Sequence, residues 1–399
     1  MKRFTVDGSD ALENYLGRIC QEVLRSIQAL FRPSRLEALV LGGGYGRGEG
    51  GVLHTEAGDR PYNDLEFYVF LRGNRLWNDF RYRADLSDLG ERLSVAAGLH
   101  VEFKIDSLRR LEQSQVSMFS YDLVSGHRRL FGSQTLFQNC AHHLAAAHLP
   151  LAEATRLLFN RCSGLLLVRR LLRKATARHS GRRGWCGKPP GETMLTKAQA
   201  DFVGRNLAKA QLALGDALLA AFGEYHWSCP QRHRRLQSLS AVDSLPGLER
   251  VLQHHAAGVE FKLHPRRIFK SAEAFGREHA ELCALAARLW LWLESRRLEH
   301  PFASPQEYGL STVEKYPGTS VWRNCLLNAR AFGPASLLGA LAARYPRERL
   351  LNALALLLWT GDGSEVPGLI QHLQRQLQTK ASDWAGLVRA YERAWLRYG

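Results

Sequence analysis

Leu36-Glu37-Ala38-Leu39-Val40-Leu41-Gly42-Gly43-Gly44-Tyr45-Gly46-Arg47-Gly48-Glu49-Gly50-Gly51 is an apolar run that breaks abruptly into glycines. Six residues of this kind, ended by glycine, read as a short buried strand. The glycines behind it let the backbone come close to an anion and present its N–H groups to it. Arg47 adds a fixed positive fork in the same turn. A strand feeding a glycine turn sets the expectation of a small α/β domain built around this point.

The flanking sequence supports that arrangement. Residues 9–31 carry Leu12, Tyr15, Leu16, Ile19, Val23, Ile27 and Leu30 at helical spacing, with Ser9 as N-cap and Pro33 beyond the end. Residues 64–71 and 99–106 alternate as strands, and residues 85–97 between them read as a helix. Strand side chains alternate between faces. Asp64, Glu66 and Tyr68 therefore share one face, and Leu65, Phe67, Val69 and Leu71 the other. Leu99, Val101, Phe103 and Ile105 form the apolar face of the later strand, with Glu102 opposite, beside His100 and Lys104. Carboxylates at alternate strand positions suit one or two hard cations. An acid on a covered strand face is costly unless it binds a metal or acts as a base. Gly46-x-Gly48-x-x-Gly51 matches the spacing of a dinucleotide fingerprint, but no helix follows it directly. The P-loop pattern is absent, since no Gly-Lys-Ser/Thr follows the glycines.

These motifs together resemble the nucleotidyltransferase superfamily of DNA polymerase β, especially its minimal and aminoglycoside-modifying members. There a Gly-Ser or Gly-Gly turn precedes Asp-h-Asp/Glu (h is apolar), and a third acid follows on a later strand. Gly43-Gly44-Tyr45-Gly46-Arg47-Gly48-Glu49 is similar to the Gly-Ser-Tyr-Ala-Arg-Gly-Glu turn common in that family. Tyr121-Asp122-Leu123-Val124-Ser125-Gly126, running on to Leu130-Phe131-Gly132, resembles the segment that closes its catalytic domain. The resemblance spans residues 36–132. It departs from the family at Gly44, where serine is usual, at Glu66, where aspartate is commoner, and in a long spacer at residues 50–63.

The resemblance implies an α+β fold, with an N-terminal nucleotidyltransferase-like mixed sheet and flanking helices, then an extended all-helical region. It implies a metal-dependent transferase that moves a nucleoside monophosphate from a nucleoside triphosphate such as ATP to an acceptor hydroxyl, releasing pyrophosphate. Asp64, Glu66 and Glu102 would be the catalytic acids and hold Mg²⁺, with two ions expected. Gly43, Gly44 and Arg47 would hold the triphosphate, together with a lysine of a following helical bundle, for which Lys209 is the candidate. The alternative is an inactive module that keeps the fold to bind nucleic acid or a protein.

Three domains are expected, over residues 1–140, 141–230 and 231–399. Long helical patterns occupy 151–174, 196–222 and 272–298, with shorter ones at 334–343, 348–359 and 382–397. Connectors fall at 175–192, 300–319 and 360–368. Leu158, Leu165, Leu172, Trp290 and Leu293 read as core.

The formal charge is +16, from 54 basic against 38 acidic residues. A surplus of this size suits a polyanionic partner or an anionic substrate. Residues 154–191 hold ten of the cations and no acid. Arg169, Arg170, Arg173 and Lys174 end a helix there, and Arg178, Arg182, Arg183 and Lys188 follow beside Trp185. This stretch and the weaker Gln231-Arg232-His233-Arg234-Arg235 run are candidate nucleic-acid contacts. A small-molecule or protein acceptor is nevertheless preferred over RNA or DNA, because the resemblance is strongest to members with small hydroxyl-bearing acceptors. Seven scattered cysteines without Cys-x-x-Cys fit free thiols in a reducing compartment. No membrane span or secretory signal is evident, so a cytoplasmic protein is expected.

Overall fold

A computed structural model describes residues 3–180, 193–239, 247–339, 341–360 and 368–398. Two compact units organise the chain, each drawn from separate stretches. Unit 1 comprises Met1–Glu153, Gly215–Asp243 and Leu252–Arg266; unit 2 comprises Ala154–Leu214, Ser244–Val251 and Arg267–Gly399.

Unit 1 begins with α1 (Asp10–Leu30), where the Ser9 hydroxyl accepts the Leu12 N–H at the N-terminus. Leu12, Leu16, Ile19, Val23 and Ile27 form its buried stripe. β1 (Leu36–Leu41) leads into the short helix α2 (Gly43–Arg47). The spacer then folds into a hairpin, β2 (Val52–Thr55) and β3 (Gly58–Pro61). Pro61 ends β3, an edge strand of this two-stranded hairpin, where proline is tolerated. β4 (Leu65–Leu71), α3 (Arg75–Ala97) and β5 (Val101–Asp106) follow. Then come α4 (Leu108–Gln113), α5 (Met118–Ser125) and β6 (Arg128–Phe131).

The sheet runs β5-β4-β1-β6. β4 and β5 are parallel, and β1 is antiparallel to both β4 and β6. Leu39, Leu41, Leu65, Phe67, Val69, Leu71, Val101 and Ile105 join the stripe of α1 and Leu86, Leu89 and Leu93 of α3 in one core. Ala38, Val40, Tyr68 and Phe70 pack on the opposite face with Leu111, Leu123 and Val124. Burial on both faces explains why β1 and β4 read as nearly continuous apolar runs. The fold is thus α+β, a small mixed sheet near the N-terminus with helices after it.

α3 starts ten residues before the expected 85–97, at an Asn74 N-cap, and its first turns expose Leu76 and Phe80. No core-facing stripe marks that half in the sequence.

The later helices are α6 (Leu151–Ser180), α7 (Lys197–Ala221), α8 (Cys229–Gln237), α9 (Leu248–Leu263) and α10 (Ala272–Leu298). They continue with α11 (Pro305–Leu310), α12 (Val321–Phe332), α13 (Pro346–Trp359), α14 (Leu369–Leu377) and α15 (Trp384–Tyr398). The expected helix at 334–343 is instead a single 3₁₀ turn, Pro334–Leu338. Leu158, Leu165, Leu172, Trp290 and Leu293 are buried, as their spacing indicated. No described helix is long and apolar enough to cross a membrane.

Unit 2 buries a charged cluster of its own. The Glu294 carboxylate accepts from Arg297, Thr155 and Tyr308. Lys315 is 0% exposed, and its Nζ lies 4.5 Å over the Tyr308 ring without a hydrogen-bond partner among the described residues. Burial lowers its ammonium from 10.5 to about 8, against the pull of Glu348 and Glu294. Between those values the unfolded chain binds more proton than the folded one, so stability rises with pH across that window. Lys315→Met should therefore be more stable than the parent chain below about pH 8 and lose that advantage toward 10.5. The difference should change by up to ~1.4 kcal/mol per pH unit. Urea unfolding of both proteins on either side of the window measures it. An equal loss of stability at both ends would show instead that the ammonium is well satisfied.

Candidate active site

The site grows from the turn between β1 and α2. The Gly42 N–H donates to the Glu66 carbonyl at 2.8 Å, tying the turn to β4. Gly43 has φ +61°, and a Cβ there would lie 3.6 Å from the Glu66 carboxyl carbon. The turn backbone therefore runs directly beside that side chain. Gly46 is needed for another reason, since its Cβ would fall 2.1 Å from the Leu41 carbonyl oxygen. That glycine serves packing against β1. The buried Tyr45 hydroxyl donates to the Gly51 carbonyl and accepts the Tyr62 N–H, which pins the hairpin to the turn.

Glu66 and Glu102 are register partners on the parallel strands β4 and β5. Each is partly exposed. Lys104 reaches both, with Nζ 3.5 Å from Glu66 and 3.1 Å from Glu102. The Tyr68 hydroxyl donates to Glu66 at 2.9 Å. Burial and then the Glu66 charge raise this phenol far above its usual range, so it stays a donor. Asp64 precedes β4 and is exposed. Among the described residues no three His, Cys, Asp or Glu side chains gather into a metal-holding group. The structure thus brings Glu66 and Glu102 together and leaves Asp64 outside the pair.

Arg47 is placed differently from the expectation of a free phosphate clamp. It is 8% exposed, and its Nη1 lies 3.2 Å from the Asp122 carboxylate of α5. Asp122 also accepts from the Tyr225 hydroxyl, which in turn accepts from Arg232. Arg232 donates to Asp216 at 2.5 Å, and His255 contacts the other Asp216 oxygen at 3.1 Å. His233 stacks on His255. Glu49, at the far end of the turn, accepts the Cys229 N–H. Burial raises the Asp122 carboxyl despite Arg47 and Arg232. For Asp216 burial acts the same way, but Arg232 and His255 outweigh it and hold the carboxyl below its usual range.

Arg232 is therefore no nucleic-acid contact. It is 4% exposed and committed to Asp216, whose carboxylate compensates the buried guanidinium. Sequence reasoning missed the partners of Arg47. Asp122 stood inside a quoted motif, but nothing in its spacing pointed to an arginine 75 positions away. Gly43, Gly44, Arg47, Asp64, Glu66 and Glu102 all belong to unit 1, and Lys209 is exposed on the part of α7 that belongs to unit 2. Arg182, Arg183, Trp185 and Lys188 lie outside the described residues. The chain matches no family model, no curated protein and no solved structure.

Arg47→Ala should cost unit 1 about 2–3 kcal/mol, toward the low end for breaking a buried pair, because Asp122 keeps 23% exposure. Arg47→Ala with Asp122→Ala should cost less than the sum of the two single changes, by roughly 1–2 kcal/mol. Urea unfolding followed by circular dichroism gives the cycle. Strict additivity would mean that the pair holds nothing.

Proposed function

We propose that unit 1 is a nucleotidyltransferase domain, transferring a nucleoside monophosphate from a nucleoside triphosphate to an acceptor hydroxyl. The observation that carries this reading is the register pair Glu66–Glu102 beside the glycine turn, where the Gly42 N–H bonds the Glu66 carbonyl and a Cβ on Gly43 would lie 3.6 Å from the Glu66 carboxyl carbon. A bare backbone next to paired acids suits a polyphosphate bridged to carboxylates by a hard cation.

The donors fit that cation in part. Glu66 and Glu102 offer oxygen ligands from adjacent strands, and Lys104 lies against both. They would hold one Mg²⁺ with Lys104 displaced; a second ion would need Asp64. When bound, Mg²⁺ neutralises phosphate charge and favours in-line displacement with pyrophosphate leaving. Tyr68 keeps Glu66 oriented through its hydroxyl. Glu102, the more exposed of the two, is the group to take the acceptor proton at Oε2. Gly43 and Gly44 belong to the first turn of α2, whose N–H groups have no acceptor within the helix. Arg47 anchors the turn through Asp122, leaving phosphate contact to the backbone. A small-molecule or protein hydroxyl remains the preferred acceptor.

A second reading, a non-catalytic module of the same fold, is favoured by Lys104 itself. Its ammonium already compensates both glutamates, and Asp64 stands apart.

Each labelled nucleoside triphosphate, incubated with the protein, Mg²⁺ and candidate hydroxyl acceptors, should yield pyrophosphate and a labelled acceptor. Glu66→Gln should lower the rate by roughly 100-fold or more while the fold persists, since the metal contributes several kcal/mol to the barrier. Wild-type transfer retained in Glu66→Gln would remove Glu66 from the mechanism. No transfer by the wild type, together with nucleotide binding indifferent to Mg²⁺, would leave the module reading.

A further inference from the structure

The basic end of α6 does not form one solvated face. Arg169 turns inward, donating to the Leu357 and Leu358 carbonyls near the end of α13. Arg170, Arg173 and Lys174 instead line a recess of about 1250 Å³ in unit 2, together with Arg389 of α15. That is somewhat larger than the roughly 300–1,000 Å³ of ordinary small-molecule sites. Its body is apolar, with Leu167 and Leu171 of α6, Phe202 of α7, Ile370 of α14 and the Trp384 indole.

The walls are fixed before any ligand arrives. The Trp384 Nε1 donates to the Leu357 carbonyl at 3.1 Å, and the Arg173 guanidinium lies 4.5 Å over the indole ring. Arg170 is held by Glu392 at 2.6 Å. Of the two acids in the lining, Glu392 is thus neutralised, and Asp383 accepts the Gly386 N–H at the start of α15. Lys174 and Arg389 are exposed and have no acidic partner among the described residues. The recess thus joins an apolar body to two exposed cations that have no ion pair among the described residues. It is complementary to a molecule with an apolar body and a doubly charged head.

We propose that this recess binds a small soluble organic phosphate, its body against Leu171, Phe202 and Ile370 and its phosphate on Lys174 and Arg389. Phosphate suits the pair because arginine offers a planar fork and lysine a point charge, and a dianion balances both. The proposal is independent of nucleotidyl transfer, since every lining residue belongs to unit 2 and every transfer residue to unit 1.

Calorimetric titration of the full chain with 1-naphthyl phosphate, inorganic phosphate and 1-naphthol tests it. The joined molecule should bind saturably and at least roughly tenfold tighter than either half. Lys174→Glu with Arg389→Glu should weaken it by a similar factor. Arg277→Glu with Arg330→Glu, the same charge change at exposed positions elsewhere in unit 2, should leave it unchanged. Leu171→Arg, which crowds the apolar wall and adds positive charge, should also weaken it. Equal binding by inorganic phosphate or by naphthol would overturn the proposal, as would equal losses in the two double variants. Binding only to vesicles containing phosphatidic acid, with no saturable signal at millimolar naphthyl phosphate, would overturn it in favour of a lipid surface.

Discussion

Two guanidinium–carboxylate pairs, Arg47–Asp122 and Arg232–Asp216, joined through the Tyr225 hydroxyl, are the interaction on which unit 1 depends. A charge moved out of water is tolerated only when a counter-charge and hydrogen bonds meet it in the right geometry. Each link here comes from a different stretch: α2, α5, the turn after α7, α8, the end of α7 and, through His255, α9. Satisfying these charges draws Asp216, Tyr225, Arg232 and His255 to Arg47 of α2 and Asp122 of α5. Apolar surface is non-directional and accepts many partners, whereas an unpaired buried arginine accepts few. The glycine turn is held through Arg47 on Asp122 and, two residues on, through Glu49 on the Cys229 N–H.

What the sequence disclosed follows from this division. β1, β4, β5 and α1 were legible, β1 and β4 as short apolar runs buried on both faces, β5 by its alternation and α1 by its helical period. The sharing of a face by Glu66 and Tyr68, and the glycine turn beside them, were legible for the same local reason. Elements whose buried face is polar were not. α12 turns Asn324 and Asn328 inward, where their amides donate to the Ala342, Ala343 and Arg344 carbonyls, and exposes Val321, Trp322 and Leu326. Its periodicity is therefore inverted, and a hydrophobic reading passes over it. The hairpin β2–β3 was hidden because its strands are short and largely polar. The ion pairs of Arg47 and Arg232 were hidden because a charge carries no sign of whether water or a carboxylate will meet it.

The same reasoning changes the meaning of the basic surplus. Several arginines are parts of the architecture. Arg349 is 1% exposed and donates to the Gln376 and Arg375 carbonyls and to the Asn328 side chain, and burial lowers it to about 9. Arg297 is held by Glu294 and donates to the Lys315 carbonyl. Arg169 serves the end of α13. With five donors in a rigid fork, arginine can satisfy several carbonyls at once where helix ends meet in an interior. A count of cations thus overstates the charge offered to a partner. The informative ones are those that neither acid nor carbonyl among the described residues answers, and in the recess of unit 2 these are Lys174 and Arg389.

Lys104 shows the opposite case, a cation whose value lies in what it compensates. Register pairing puts Glu66 and Glu102 side by side on adjacent strands, where like charges oppose each other. Without a cation between them the pair would weaken the edge of the sheet. Lys104, two residues along β5 on the same face, supplies it from the nearest position the strand period allows. One ammonium against two carboxylates leaves the cluster net negative. The cluster therefore still favours a cation of higher charge, and whatever takes the place of the ammonium must bring at least as much charge to the two glutamates.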